Sequence, residues 1–335
     1  MKLFLNEILS IANNLNPGVV TNPIEFTHKF NSITDVESVA DYYCHHFPHW
    51  MLDEITKSSI KFSHPKNTDF YIDPFLLNRI DGMQLYSLCS SIIKKEKYSI
   101  SFEDSYFLDC FLENHSPEKP VIIIHIDHHT DRGWFFGELE KGKEILKLSS
   151  TGENIQLAFD TRCISTLRKH GILHQGNFLS FFSFFPNGVQ VVYATNEITE
   201  EPHKYSIKTS IEKDEYSNYT TRFSIATLEP KTRYIWREGP RSSIKEMIES
   251  AISESPDAEI FVHIDLDEYD NPWDGNSYNE GNMPKDTLSV IREFSSDLSI
   301  IDSFEPKFTH FCMPTGFFPA IHWIKTISAI GGFYD

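Results

Sequence analysis

The chain has 335 residues, of which 40% are hydrophobic, and its 30 basic and 48 acidic residues give a formal net charge of −18. This length and apolar content are enough for a large α/β domain with a buried core. The negative charge argues against a broad phosphate-binding surface, so nucleic acid is not an expected partner. The five cysteines form no C-x-x-C pair. We therefore expect neither a disulfide framework nor a thiolate zinc site, and a reducing cytoplasm fits best.

Residues 1–117 form a predicted N-terminal region of short helical and extended segments. The opening stretch MKLFLNEILSIANNLNPG is predicted as an amphipathic helix, because Glu7 interrupts its apolar run and no small-residue cleavage site follows. No stretch approaches the ~20 apolar residues of a membrane span, so no membrane association is expected. The HHFPHW cluster at 45–50 favours packing or a partner surface over a metal site.

Residues 118–335 form the predicted core, with a regular pattern of strands and helices. Continuous apolar runs predict strands that are buried on both faces of a parallel sheet. These runs are VIIIHID at 121–127, VQVVYA at 189–194, EIFVHID at 259–265 and LSIIDSFEP at 298–306. Alternation of strands with helices predicts an α/β fold whose mostly parallel sheet is covered on both faces.

Helices and an insertion are predicted between these strands. Asp160 is a candidate N-cap, and NFLSFFSFF at 177–185 predicts a second, very apolar helix. Ser243 and Glu246 have the spacing of a capping box at the start of a third helix. Residues 203–236 are rich in Thr, Tyr, Ser and Ile, which predicts β-hairpin material inserted in the core.

Ionisable side chains follow two of the buried strands, at the edge where parallel sheets bind ligands. Asp127, His129 and Asp131 alternate after one strand, and Asp265 and Asp267 have the same spacing after another. In extended backbone, residues two apart point the same way. An isolated D-x-D pair is more simply explained as part of a solvated loop. Two matched clusters instead favour a site for two divalent ions such as Mn²⁺. The ions would neutralise the carboxylates, which otherwise repel one another.

Three further histidines flank these clusters. His125 and His263 each lie two residues before an aspartate of the clusters, and we expect them to support the ligands or to pack in the core. His128 is expected to point away from the site.

The two clusters resemble the signatures of a known family. IDHHTD at 126–131 resembles the D-A-H-x-D signature of the ureohydrolases, the arginase and agmatinase superfamily, and HIDLDEYDNP at 263–272 is similar to its D-x-D-x-x-D-P segment. The resemblance implies a three-layer arginase/deacetylase-like fold and two Mn²⁺ ions. The implied metal ligands are Asp127 and Asp265, which bridge the ions, His129 and Asp267 on one ion, and Asp131 on the other.

Two weaker matches imply catalytic residues. LHQGNFLSFF at 173–182 resembles the arginase segment whose histidine passes a proton to the leaving group, which implies this role for His174. DSFEP at 302–306 resembles the segment whose glutamate holds the substrate guanidinium, which implies this role for Glu305. Asp267 completes the implied catalytic group. For His174 and Glu305, an ordinary loop residue is the alternative.

The chain departs from the family in the segment that supplies an upstream histidine ligand. The G-G-D-H motif is absent, and FEDSYF at 102–107 has Ser105 where the histidine would fall. Asp104 is the expected replacement ligand, with Glu103 and His115 as alternatives.

A second departure concerns the substrate. Gly133 stands where arginases carry an asparagine that recognises the α-carboxylate of the free amino acid. This resembles a divergent branch that includes peptide arginases, which convert arginine residues of ribosomally made precursor peptides to ornithine. The implied function is a binuclear manganese hydrolase that releases urea from a peptidyl arginine, with the precursor peptide as partner and its leader recognised by the N-terminal region. The alternatives are an agmatinase- or arginase-type hydrolase of a small guanidino compound, a single-zinc deacylase of acyl-lysine or acylpolyamine, and a non-catalytic peptide-binding module.

Overall fold

A computed structural model gives the architecture of the chain. It describes residues 91–132, 154–169, 173–196, 201–206, 234–272, 284–314 and 317–334, together with short strands outside these ranges. The predicted N-terminal helix, the cluster at 45–50, Gly133 and most of the insertion at 203–236 lie outside the described residues. Among the described helices, none is long and apolar enough to cross a membrane.

Strands are interspersed with helices from Tyr98 to Tyr334. The strands are β1 Glu25–Lys29, β2 Met51–Ile55, β3 Ser59–Ser63, β4 Ile92–Lys94, β5 Tyr98–Ser101, β6 Val121–Ile126, β7 Phe135–Phe136, β8 Glu138–Leu139, β9 Ile145–Lys147, β10 Asn154–Gln156, β11 Val189–Thr195, β12 His203–Ser206, β13 Arg222–Phe223, β14 Tyr234–Pro240, β15 Glu259–Asp265 and β16 Phe308–Cys312. The α-helices are α1 Tyr106–Asn114, α2 Thr161–Lys169, α3 Ile244–Glu254, α4 Thr287–Asp302 and α5 Trp323–Tyr334. Segments of 3₁₀-helix are Gln175–Phe184, Arg241–Ser243, Leu266–Glu268 and Ala320–His322.

The chain divides into two compact units. We call the first the sheet unit; it comprises Asp104–Ile264 and Ile300–His310. We call the second the terminal unit; it comprises Met1–Glu103, Asp265–Ser299 and Phe311–Asp335. The division at residue 117 that the sequence suggests stays a prediction.

A mostly parallel sheet forms the centre of the sheet unit. Its strands lie in the order β12-β14-β11-β6-β15-β16. Neighbours from β14 to β15 run parallel, and β12 runs antiparallel to β14. Every residue of β6 and β11 is buried, which explains why both sequences are continuous apolar runs. The predicted α/β class and the predicted strands β6, β11 and β15 are confirmed.

The terminal unit contains two antiparallel strand groups and α5. β4 pairs with β5, and β1, β3 and β2 form a separate sheet. Phe102, directly after β5, packs edge-on against Trp323, with 4.9 Å between the ring centroids. His322 Nε2 lies 2.7 Å from Asp270 Oδ2, and His322 Nδ1 lies 2.8 Å from Thr287 Oγ1. These contacts tie the segment after β15 to the first turn of α4 and to the start of α5.

The predicted helix starts had mixed outcomes. The Cys163 amide donates to Asp160 Oδ1 at 2.8 Å, so the predicted cap of α2 is confirmed. α3 forms where expected, but Ser243 makes no side-chain cap hydrogen bond, and the predicted capping box is wrong. The apolar segment at 175–184 is a 3₁₀-helix rather than an α-helix. One of its amides, that of Leu179, donates to the Asp131 carbonyl oxygen outside the segment.

The predicted strand at 298–306 is wrong. Residues up to Asp302 belong to α4, and the strand begins only at Phe308. The run LSII was ambiguous because a short apolar run fits a strand or a buried helix turn. Over a longer window, buried apolar residues recur at helical spacing. They are Val290, Phe294, Leu298 and Ile301.

Two leucines of α4 provide a matched test of this helix. Leu298 is fully buried, whereas Leu288 is 52% exposed. We expect Leu298→Ala to lower the free energy of unfolding by about 2–5 kcal/mol, because it leaves a cavity in the core. Leu288→Ala is expected to change it by less than about 0.5 kcal/mol. Urea denaturation followed by circular dichroism measures both, and equal losses would contradict this assignment.

Candidate metal centre

Polar side chains collect at the carboxyl end of β6, in the sheet unit. Asp127 directly follows the strand and is buried, as is Asp131, while the side chain of His129 is 39% exposed. The His129 amide donates to Asp127 Oδ1 at 2.7 Å, and His129 Nδ1 lies 3.5 Å from the same oxygen. A tight turn therefore brings the predicted Asp-x-His pair together at one point.

Asp131 reaches the cluster through an unusual backbone conformation. Its φ of 48° lies in the left-handed region, which costs a non-glycine residue about 1–2 kcal/mol. The Leu179 amide donates to the Asp131 carbonyl oxygen at 3.1 Å and helps to hold this conformation. Asp131 Oδ2 then lies 3.9 Å from His125 Nε2. The extended alternation expected for these residues is wrong; a turn brings them together.

Two buried histidines link Asp127 to Asp104. His125 and His263 are register partners on β6 and β15, and their Nδ1 atoms lie 3.0 Å apart. His263 Nε2 lies 3.0 Å from Asp104 Oδ1, and His125 Nε2 lies 3.3 Å from Asp127 Oδ2. All four side chains are buried. They form one continuous chain, from carboxylate through two imidazoles to carboxylate.

Burial governs the protonation of this cluster. It lowers the pKa of His125 to about 3, so that ring is neutral. Burial, reinforced by the carboxylates of Asp127 and Asp104, raises the pKa of Asp131 well above its usual range. For Asp127, burial works against the charged form, but the His129 hydrogen bond and the nearby imidazoles hold its pKa below the usual range. Asp127 therefore favours its ionised form. Asp131 favours its protonated form unless a cation lies nearby.

The residues of the cluster fit a divalent metal ion. Asp127 Oδ2 and Asp131 Oδ2 are both buried and lie 3.3 and 3.9 Å from the same nitrogen, His125 Nε2, so the two carboxylates converge on one point. His125, Asp127 and His263 offer ligand atoms that all lie within 4.8 Å of one another. Carboxylate oxygens with imidazole nitrogens form a donor set that Mn²⁺ and related ions accept.

Asp104, the replacement ligand expected from the sequence, lies beside the cluster. His115, one of its alternatives, does not lie there. His115 follows the far end of α1 and stacks on Phe111, with 4.7 Å between the ring centroids. The nine residues of α1 separate it from Asp104 by roughly 13 Å. Glu103 is buried and belongs to the terminal unit.

His174 begins the 3₁₀-helix that lies against the cluster. Its Nδ1 accepts a hydrogen bond from the Gly176 amide at 3.2 Å, and its own amide donates to Asn177 Oδ1 at 3.0 Å. Phe178 of the same segment contacts the ring of His263, with centroids 4.8 Å apart. His174 is therefore a helix cap in a segment that contacts the candidate metal ligands.

Glu305 is not brought to the cluster. It is exposed, has a φ of 53°, and lies in the turn between α4 and β16 rather than at the end of a strand. The neighbouring Lys307 amide donates to the Ile260 carbonyl oxygen at 2.8 Å, at the amino end of β15. Because β6 and β15 are parallel, Asp127 lies at the opposite edge, about 20 Å away. The predicted placement of Glu305 is wrong.

Asp265 and Asp267 belong to the terminal unit and are both buried. The Asp267 amide donates to Asp265 Oδ1 at 3.0 Å, and Asn271 Nδ2 donates to Asp267 Oδ2 at 3.2 Å. The first of these contacts repeats the turn formed by Asp127 and His129. Both predicted motifs thus share this hydrogen bond after their strands, although only the second continues as a 3₁₀-helix, at Leu266–Glu268.

Comparisons with known proteins add no relative to this description. No family model, no curated protein and no solved structure matches the chain. The resemblance to ureohydrolases therefore stays a prediction that rests on the motifs at 126–131 and 263–272.

Proposed function

We propose that the protein is a binuclear manganese hydrolase with a three-layer arginase-like fold, which cleaves the guanidinium of a peptidyl arginine to give ornithine and urea. One observation carries this proposal. Two buried carboxylates, Asp127 and Asp131, meet at the carboxyl end of a central strand, where their Oδ2 atoms lie 3.3 and 3.9 Å from His125 Nε2. A divalent cation is the simplest partner for such a pair.

The proposed ligands come from both motifs and from the segment before α1. Within the sheet unit, Asp127, His129, Asp131 and Asp104 would hold a divalent ion, and the resemblance implies Asp265 and Asp267 of the second motif as further ligands. When bound, the two ions supply a hydroxide nucleophile at neutral pH and stabilise the charge that develops during hydrolysis. Asp127 Oδ1 already accepts the His129 amide, which fixes the carboxylate before any ligand arrives.

The protein side chains have two further tasks in this reaction. His174 donates a proton to the departing amine, a role that histidine side chains commonly take in catalysis. The net charge of −18 favours the approach of a cationic guanidinium substrate. Glu305 has no part in the proposal because it lies at the opposite edge of the sheet.

A peptide is the proposed substrate because of Gly133, which has no side chain with which to hold the α-carboxylate of free arginine. An arginine within a peptide has no free carboxylate, so this contact is unnecessary. The proposed partner is an arginine-containing precursor peptide, with leader recognition assigned to the N-terminal region.

The function is tested by offering the manganese-loaded protein three substrates in parallel: an arginine-containing peptide, free arginine and agmatine. Bound metal is measured by elemental analysis, urea is assayed, and the peptide is examined by mass spectrometry. Urea from the peptide alone, with a mass decrease equal to urea minus water for each arginine, is the expected result. Urea from free arginine or agmatine alone would indicate a small-molecule ureohydrolase.

Two further outcomes would overturn the proposal altogether. Release of acyl groups from acyl-lysine by a zinc-loaded sample, without urea, would indicate a deacylase. Peptide binding with no turnover of any substrate would indicate a binding module.

Substitutions of His174 separate its proposed proton transfer from its role as a helix cap. We expect His174→Asn and His174→Ala both to keep the metal and to lower turnover by about 10²–10⁴-fold, because neither side chain transfers protons. Asparagine still caps a helix, whereas alanine loses about 0.5–2 kcal/mol of unfolding free energy. Steady-state kinetics and urea denaturation measure the two effects. Unchanged turnover in His174→Asn would remove His174 from the mechanism.

A further inference from the structure

Three side chains of the terminal unit form a hydrogen-bonded chain, from Thr287 through His322 to Asp270. Thr287 Oγ1 lies 2.8 Å from His322 Nδ1, and His322 Nε2 lies 2.7 Å from Asp270 Oδ2. Thr287 is the first residue of α4, His322 directly precedes α5, and Asp270 lies in the segment after β15. A hydroxyl, an imidazole and a carboxylate are thus joined in the order that nucleophilic enzymes use.

The burial of the three residues differs along this chain. Asp270 is 4% exposed and His322 is fully buried, whereas Thr287 is half-buried. Thr287 is therefore the member of the chain that a substrate can reach, and the imidazole and the carboxylate lie behind it.

The carboxylate fixes the orientation of the imidazole. Asp270 Oδ2 accepts the Lys285 amide at 2.9 Å, and His322 Nε2 donates to the same oxygen. Phe318 packs against the His322 ring, with 5.4 Å between the ring centroids. The Nε2 proton is used in the contact with Asp270, so the neutral ring has its lone pair on Nδ1, where it accepts the hydroxyl proton of Thr287.

We propose that Thr287 is the nucleophile of an acyl-transfer site, which takes the acyl group of an oxygen ester or thioester and passes it to water. Thr287 Oγ1 bonds to the acyl carbon while its proton moves to His322 Nδ1. The bond from that carbon to the leaving oxygen or sulfur breaks, and the leaving group takes the proton. Water then attacks the threonine ester, gives a proton to His322 Nδ1 and forms the free acid, and this proton returns to Thr287 Oγ1. Asp270 stabilises the imidazolium between the two transfers.

The start of α4 offers a donor for the negative charge that develops on the acyl oxygen. Amides in the first turn of a helix have no acceptor within that helix. Asp286 caps the helix by accepting the Ser289 amide at 3.1 Å. The Leu288 amide directly follows the nucleophile, which is a position that supplies an oxyanion donor in acyl-transfer enzymes. The partial positive charge at the start of the helix favours the same oxyanion.

The burial of His322 restricts the class of substrate. No part of this residue is exposed, and Nδ1 is the nitrogen that faces the hydroxyl. The amine of an amide must be protonated as it leaves, whereas a thiolate or the anion of an acidic alcohol needs little help from a proton. Thioesters and activated oxygen esters are therefore the expected substrates, and peptide bonds are not.

The test incubates the full-length protein, in the presence of a chelator, with the activated ester p-nitrophenyl acetate. We expect a burst of p-nitrophenol equal to the protein concentration, followed by steady release. Tandem mass spectrometry of a rapidly quenched sample should locate one acetyl group on Thr287. This result does not depend on any variant folding.

Variants then test the imidazole and the hydroxyl separately. Thr287→Val is expected to lose the burst and Thr287→Ser to keep it, because serine retains the hydroxyl. His322→Gln is expected to slow acetylation by about 10²–10⁴-fold. Thr166→Val is the matched control, at a helix threonine whose hydroxyl donates to the Arg162 carbonyl oxygen at 2.8 Å, and should change nothing.

Three results would overturn the proposal. The first is acetylation of other residues with none on Thr287. The second is an acetyl group that forms on Thr287 at the same rate in His322→Gln, since the hydroxyl would then be merely accessible. The third is ester hydrolysis that requires Mn²⁺ or is lost in Asp127→Asn, which would assign this activity to the candidate metal centre.

Discussion

Asp127→Asn is expected to lose manganese and activity together. The substitution keeps the size of the side chain and removes the charge of the carboxylate that the His129 amide and the neighbouring imidazoles hold ionised. Loss of a residue that only supports a ligand typically weakens metal binding 10–100-fold, so loss of a direct ligand, the role proposed for Asp127, should weaken it more than about 100-fold. Isothermal titration with Mn²⁺ and the urea assay measure the two effects on the same sample.

Asp160→Asn is the matched control for this prediction. It makes the same chemical change in the same unit, at a residue that caps α2 through the Cys163 amide. Asparagine caps helices as well as aspartate does, so metal content, activity and unfolding free energy should all remain unchanged. Retention of two manganese ions by Asp127→Asn would show that the ligand assignment is wrong.

Asp131→Asn is expected to change how the stability of the metal-free protein depends on pH. Burial and the neighbouring carboxylates raise the pKa of Asp131, so the folded protein binds this proton more tightly than the unfolded chain does. The stabilisation is complete below the unfolded pKa of about 3.9 and is lost as the pH rises toward the folded value, at no more than about 1.4 kcal/mol per pH unit. Asparagine has no proton to lose, so this contribution disappears.

Urea denaturation in the presence of a chelator, at several pH values between about 4 and 8, tests this prediction. As the pH rises, the original protein should lose unfolding free energy relative to Asp131→Asn. With Mn²⁺ present the original protein should regain stability as the pH rises, because the metal displaces the proton. If the unfolding free energies of the original protein and of Asp131→Asn change with pH in parallel, the prediction is wrong.

The central sheet was predictable because burial on both faces of a parallel sheet demands uninterrupted apolar runs. The runs at 121–126 and 189–194 therefore identified β6 and β11 from local sequence alone. The run at 298–301 was misassigned because a short, mostly apolar run fits a helix turn equally well. Phe294 and Val290, about one and two turns earlier, reveal the helical spacing.

The grouping of Asp127, His129 and Asp131 was suggested by the sequence, but its geometry was not. Their alternating spacing marked these residues, whereas the turn at Asp127 and the left-handed backbone of Asp131 depend on contacts with other segments. The pairing of His125 with His263 depends on β6 and β15 being neighbours, which a local pattern does not specify. In the sequence, both histidines lie two residues before an aspartate, and this shared spacing suggested a relation between them.

The hydrogen bonds of Arg168 restrict the substitutions open to this chain during evolution. Arg168 is only 13% exposed, and a histidine at position 105 would remove the hydroxyl that accepts from its Nε. Loss of one partner of a largely buried charged group costs about 1–3 kcal/mol or more. A histidine at 105 is therefore acceptable only together with a change at 168. Either substitution made alone would thus give a less stable protein than the two made together.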